Sequence, residues 1–283
     1  MPEPRDRFVT ANGLPLHYLD WSGGGQGVPL VLLHGLRDQA HGWDAVAPGL
    51  AGHGRVLALD QRGHGASDWP PTGYAPEDFA ADLAAFLDAL DLAATPPVVV
   101  GHSMGGRTAL AFAARYPDRL RGLAVVDVGA SARPETILAI VAELRAGHGP
   151  FAGEEEALRA LVGAAAPNAA TRRYVRYNLR PTADGLLAWQ YDLDAAIETT
   201  RLGRGRDYWS DLARIAVPTL LVRGARSDVL SRGEAERMVG ALRRGALVEI
   251  TGAGHLIPLV RPRELAAAII AWLPDASGDG VAR

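Results

Sequence analysis

Ser103 stands in Gly101-His102-Ser103-Met104-Gly105, directly after the apolar run Val98-Val99-Val100 and before a stretch of helical periodicity. A hydroxyl is a poor nucleophile at neutral pH unless a base takes its proton. The chemistry this pattern could do is therefore attack on an acyl carbon, with help from elsewhere in the chain. A serine on a tight strand-to-helix turn is held in strained backbone geometry, and flanking glycines remove the side chains that would collide there. The helix that follows aims its unpaired N–H groups, and the positive end of its dipole, at any anion forming beside Ser103. The plainer reading, an ordinary glycine-rich turn, needs no partners. The nucleophile reading needs a base and an acid.

The base that fits is His255 in Gly252-Ala253-Gly254-His255, where a glycine-rich loop lets an imidazole swing over the end of a sheet. For His17, His41, His53, His64, His102 and His148 a structural or solvated role is the default. Architectures with such a turn use the chain order serine, acid, histidine, with the acid at the end of a strand. Two aspartates qualify: Asp127, closing Leu123-Ala124-Val125-Val126, and Asp228, shortly after Leu221-Val222-Arg223-Gly224.

These groups must be positioned by regular elements. Arg5 to Ala11 and Leu14 to Trp21 flank Asn12-Gly13, a dipeptide suited to a tight hairpin. Strand patterns follow at Pro29–Leu33, Arg55–Leu59, Val98–Val100, Gly122–Val126, Thr219–Val222 and Leu247–Ile250, with helix patterns at His41–Leu50, Pro76–Leu90, Met104–Arg115, Arg232–Leu242 and Arg261–Trp272. Short apolar strands alternating with amphipathic helices predict an α/β fold, with a mostly parallel central sheet of about eight strands opened by the antiparallel hairpin and flanked by helices. Between Ala130 and Leu212 no strand is evident, and helical pieces succeed one another at 136–146, 154–164, 171–178 and 192–200. Residues 130–212 are accordingly expected to form an inserted helical lid over a core of residues 1–129 and 213–283. The Gly-, Asp- and Ala-rich tail after Pro274 is expected to be mobile.

The chain has 283 residues, 48% of them hydrophobic, and a net charge of −3, values that fit one globular domain with an insertion and give no reason to expect nucleic acid or a membrane as partner. With no cysteine, thiolate metal sites, disulfides and cysteine nucleophiles are excluded. No metal-ligand spacing of histidines is present, so neither metal nor other cofactor is expected. There is no run of about 18 apolar residues and no basic-then-apolar start, and the chain reads as cytoplasmic. The partner expected is a small-molecule acyl substrate, for a monomer or homodimer.

Four motifs in one order resemble those of the Ser-His-Asp members of the α/β-hydrolase superfamily. They are His34-Gly35, the Asp60-Gln61-Arg62-Gly63-His64-Gly65-Ala66-Ser67-Asp68 loop, the Gly101 to Gly106 elbow and the Gly252 to Pro258 segment. The resemblance covers nearly the whole chain. It implies an oxyanion hole made by the backbone N–H groups of Leu36 and Met104, and hydrolysis of a carboxylic ester or related acyl bond through an acyl-enzyme. It also bears on the acid. Most relatives carry it three residues after the glycine that ends the post-lid strand, and here that place is Ser227, with Asp228 one position late. Asp127 sits where a minority branch keeps its acid, a branch that includes small acyl esterases and a cofactor-free hydrolase of a carboxylated enamide. The resemblance thus favours Asp127, with Asp228 as the alternative.

In the lid, Arg172, Arg173, Arg176 and Arg180 share a helical side, which could grip a substrate carboxylate or form a solvated face balanced by Glu154, Glu155 and Glu156. His34, Arg176, Tyr177 and Trp189 are the candidates for contact with substrate, although His34 also suits a loop-bracing role and Trp189 the lid core. Two other functions remain open at this point. One is hydrolysis of an enamide, lactone or C–C bond in a small carboxylated catabolite. The other is a non-catalytic ligand-binding protein on the same scaffold, against which the intact serine, histidine and aspartate set argues.

Overall fold

The computed structural model describes residues 3–21, 27–163 and 166–273; the tail after Pro274 and Ala164, at the end of one expected lid helix, lie outside them. An eight-stranded sheet runs in the order β1 (Arg5–Ala11), β2 (Leu14–Trp21), β4 (Val56–Leu59), β3 (Leu30–Leu33), β5 (Val98–His102), β6 (Gly122–Val126), β9 (Thr219–Gly224), β10 (Gly245–Ile250). Strands β1 and β2 pair antiparallel across Asn12-Gly13, β2 is antiparallel to β4, and every pair from β4 to β10 is parallel. The fold class is the one the sequence pattern predicts.

Period-2 alternation along the strands divides the core between the two faces. Val31, Leu33, Val99 and Val125 pack under α2 (Pro76–Ala89), α3 (Met104–Arg115), α8 (Trp209–Arg214) and α9 (Arg232–Ala241). Leu30, Leu32, Val98, Val100 and Val126 pack with α1 (Ala47–Leu50) and α11 (Pro262–Trp272), which follows the short α10 (Ile257–Val260). The helix expected over His41–Leu50 is instead a 3-10 turn at Ala40–Trp43 followed by α1. A continuous helix would drive the Pro48 ring against the carbonyl of residue 44.

Between β6 and β9 lie α4 (Ile137–Ala146), α5 (Glu154–Val162), α6 (Ala169–Asn178) and α7 (Leu193–Gly205), with a core of their own around Leu144, Phe151, Val175 and Trp189. Two features correct the all-helical lid expected over 130–212. A hairpin of β7 (Leu179–Pro181) and β8 (Leu187–Trp189) stands inside it, turned at Asp184-Gly185 with Gly185 at φ 81°. Also, Tyr208, Leu212 and Ile215 around α8 belong to the sheet's core, so the separately packed part ends with α7. Among the described residues no helix is long and apolar enough to cross a membrane.

The register sets up the site. Leu33 pairs with Gly101, His102 with Val126, and Val126 with Val222, so the residues after β3, β5, β6 and β9 emerge side by side at the carboxyl edge. The chain passes from β3 out to β4 and back across to β5. The crevice between β3 and β5 is thus the switch point where such sheets bind ligands.

Candidate active site

Ser103 occupies φ 53°, ψ −112° between β5 and α3, a left-handed conformation that costs about 1–3 kcal/mol for a residue with a Cβ. The surroundings enforce it. The Ser103 N–H donates to Val126 O (3.0 Å) and the Gly105 N–H to His34 O (3.1 Å). A Cβ on Gly101 would lie 2.2 Å from the Gly105 carbonyl oxygen, and one on Gly105 2.3 Å from that of Leu33. Only glycine fits at either place.

The Ser103 hydroxyl is 3.0 Å from His255 Nε2, and His255 Nδ1 is 2.8 Å from Asp127 Oδ2. A carboxylate can only accept, so Nδ1 carries the proton and Nε2 is left free to accept from the serine. Asp127, fully buried after β6, also accepts the Gly224 N–H at Oδ1 (2.9 Å) and the Ser227 hydroxyl at Oδ2 (2.6 Å). Of the two candidate acids, Asp127 is the one within reach of the imidazole. Asp228 is exposed on the loop after β9, and α9 is capped by Ser231, whose hydroxyl accepts the Glu234 N–H.

Ser227 is a contribution that sequence reasoning located without giving it a task. Besides donating to Asp127, its Oγ accepts the N–H groups of Val229 (3.1 Å) and Leu230 (3.2 Å), which fixes the hydroxyl proton toward the carboxylate. Ser227→Ala is expected to lower kcat about five- to fiftyfold with a smaller change in KM, the effect of one lost hydrogen bond to a buried charge. Steady-state kinetics on an acyl ester check it, and an unaltered kcat would contradict it.

His102 packs against His255. Its Nε2 lies 2.9 Å from the His255 carbonyl oxygen and the two rings are 4.9 Å apart. Burial, then the neighbouring His255, push the His102 pKa down to about 3, so a neutral ring donates this bond at neutral pH.

Leu36 and Met104 line the same cavity as Ser103. Met104 is the first residue of α3, so its N–H has no acceptor within the helix. The loop carrying Leu36 is clasped by His34, whose Nε2 accepts the Gln61 N–H (3.0 Å) while Gln61 Nε2 donates to the His34 carbonyl (2.9 Å). Thr108 in turn donates to Gln61 Oε1 (3.0 Å). Asp60 accepts N–H groups from Ala40 and Ala66. The Asp60–Asp68 loop is therefore the brace beneath the site.

A cavity opens over Ser103. None of the four side chains expected to touch substrate lines it. His34 is buried in the brace, with Nδ1 on Gly35 O (2.8 Å). Arg176 has a side chain 70% exposed, facing Glu154, and Tyr177 stacks on His41. The cause is α6, which buries Val175 in the lid core and so turns the arginine side to solvent. Trp189 is in that core, its Nε1 donating to Gly147 O, and lines a different cavity inside the lid. The polar groups that do face the Ser103 cavity include Arg107, Thr199 and Arg204, none of them singled out from the sequence. Arg107 was findable, since it stands one helical turn after Ser103.

Comparison with known proteins shows the family. Residues 28–262 match the model of the family described as alpha/beta hydrolase fold. The chain is 35% identical to an esterase of Mycobacterium tuberculosis over 93% of its own length and 87% of that protein's. It is 29% identical to a 2-(acetamidomethylene)succinate hydrolase of Mesorhizobium japonicum, over 84% of this chain and 85% of that one. A crystal structure of E-2-(acetamidomethylene)succinate hydrolase superimposes with a TM-score of 0.85 at 28% identity, covering 94% and 97% of the two chains.

Proposed function

The chain belongs to the alpha/beta hydrolase fold family, and within it we propose a serine hydrolase that cleaves a carboxylic ester or related acyl bond of a small molecule through an acyl-enzyme. The observation that carries this reading is the continuous line from Ser103 Oγ through His255 to Asp127, at 3.0 and 2.8 Å.

In this mechanism Ser103 Oγ attacks the substrate carbonyl as His255 Nε2 takes its proton, and Asp127 stabilises the imidazolium from the other side. The tetrahedral oxyanion is held by the N–H groups of Leu36 and Met104, with the positive end of α3 behind them. Collapse expels the alcohol, which leaves with the proton from His255. Water, deprotonated by the same nitrogen, then attacks the acyl-serine and releases the acid. One ester bond and one water are consumed, and the enzyme is regenerated.

A second reading keeps the machinery and changes the bond. The structural similarity to a hydrolase acting on 2-(acetamidomethylene)succinate supports an amide or enamide as the scissile group. Either reading carries a small-molecule acyl partner and a cytoplasmic setting. The purified protein is expected to turn over short-chain p-nitrophenyl esters with saturation kinetics, and acid-quenched samples are expected to carry the acyl mass on the enzyme. No turnover across a short-chain series would contradict the ester reading.

A further inference from the structure

The wall of the Ser103 cavity is built with more positive charge than its neighbours neutralise. Arg107 from α3 and Arg204 from α7 both face this cavity, and Arg133 lies close enough to repel both. Of the two nearby carboxylates, Glu135 attracts Arg204, and Glu234 is already engaged, accepting Arg133 Nη2 at 2.9 Å and the Ser131 N–H at 2.9 Å. Among the described residues neither Arg107 nor Arg204 is within salt-bridge distance of a carboxylate. Arg204 Nη1 donates to the Thr136 hydroxyl (3.0 Å), one of five donors on that guanidinium.

An independent observation points to the same place. Thr199, on α7 and 7% exposed, has a buried hydroxyl with no hydrogen-bond partner among the described residues, and it lines this cavity. A helical threonine ordinarily bonds the carbonyl four residues back. The adjacent Thr200 does so, donating to Ala196 O at 2.8 Å. A buried hydroxyl left unpaired is costly unless something fills its place.

We infer that Arg107, Arg204 and Thr199 form an anion subsite, and that the substrate is an acyl compound bearing a free carboxylate, such as a monoester of a small dicarboxylic acid. This inference rests on the serine-hydrolase reading for the bond that is cut. Arg107 follows Ser103 by one turn, about 6 Å along the helix axis, so the reacting carbonyl and the charge belong to one small molecule. Leu36, Phe79 and Ile140 supply apolar walls for the carbon chain between them. Guanidinium groups bind carboxylates in a planar, directional way, and the Thr199 hydroxyl adds a further donor. Burial pushes the Arg107 pKa down, and burial followed by Arg107 and Arg133 pushes that of Arg204 down to about 10. Guanidinium groups are not deprotonated in proteins, so the two cations repel each other and a bound anion relieves that repulsion.

The test compares mono-p-nitrophenyl glutarate with p-nitrophenyl valerate, which replaces the carboxylate by a methyl group. The wild-type protein is expected to favour the anionic ester by at least about tenfold in kcat/KM. Arg204→Met and Arg107→Met are each expected to erase most of that preference, read as the ratio of the two kcat/KM values within each variant. In parallel, glutarate is expected to raise the melting temperature of the Ser103→Ala protein, and less so when Arg204→Met is added. Equal turnover of the two esters by the wild type, or no glutarate-induced shift, would overturn the inference. Failure to cleave either ester would instead count against the serine-hydrolase reading, and glutarate binding would still decide whether the subsite exists.

Discussion

Ser103→Ala is expected to lower kcat for acyl ester hydrolysis by about 10⁶, the loss seen when the nucleophile of a serine triad is removed. No other threonine hydroxyl at this cavity is paired with a histidine among the described residues: Thr108 is committed to Gln61, Thr200 to its own helix, and Thr199 has no hydrogen-bond partner there. The fold should survive the change. The Ser103 side chain makes no capping hydrogen bond to α3, and alanine carries the same Cβ into the same strained φ, so the melting temperature is expected to move little. Steady-state kinetics together with a thermal melt separate loss of the nucleophile from loss of structure. A variant retaining a tenth of the activity would remove Ser103 from the mechanism.

Asp127→Asn is expected to cost about 10⁴ in kcat, with the geometry nearly intact. The asparagine fills the same buried space, and its oxygen can still accept the Gly224 N–H that Asp127 Oδ1 accepts now. What changes is the face presented to His255. An amide nitrogen opposite Nδ1 favours the imidazole tautomer that has its proton on Nε2, which cannot take one from Ser103. The negative charge opposing the imidazolium also disappears. Asp228→Asn, on an exposed loop, is expected to change kcat by less than about threefold. The opposite ranking of the two variants would move the acid to the loop after β9.

Much of the architecture was legible because it is local. Asn12-Gly13 fixed the opening hairpin, uninterrupted apolar runs marked strands covered on both faces, and the glycines around Ser103 announced a turn at which a Cβ has nowhere to go. Asp184-Gly185 is an equally local turn signal, but β7 and β8 span only three residues each, too few for alternation to show. Features that depend on distant pairings were harder to read. The hydrogen bond from Ser227, after β9, to Asp127, after β6, joins residues 100 apart in the chain. The arginines of α6 drew attention by their spacing, yet spacing cannot say which side of a helix faces the core, and Val175 decides that. The arginines that do reach the cavity, one on α3 and one on α7, share no sequence pattern; only the placing of the lid over the elbow brings them together.

The central claim is that Ser103 is the activated nucleophile. Its most direct test is labelling of the intact protein with a fluorophosphonate, followed by peptide mapping of the adduct. The account predicts a single phosphonylated residue, Ser103, with labelling abolished in Ser103→Ala and strongly slowed in His255→Ala. No adduct, or an adduct on any other residue, would contradict it.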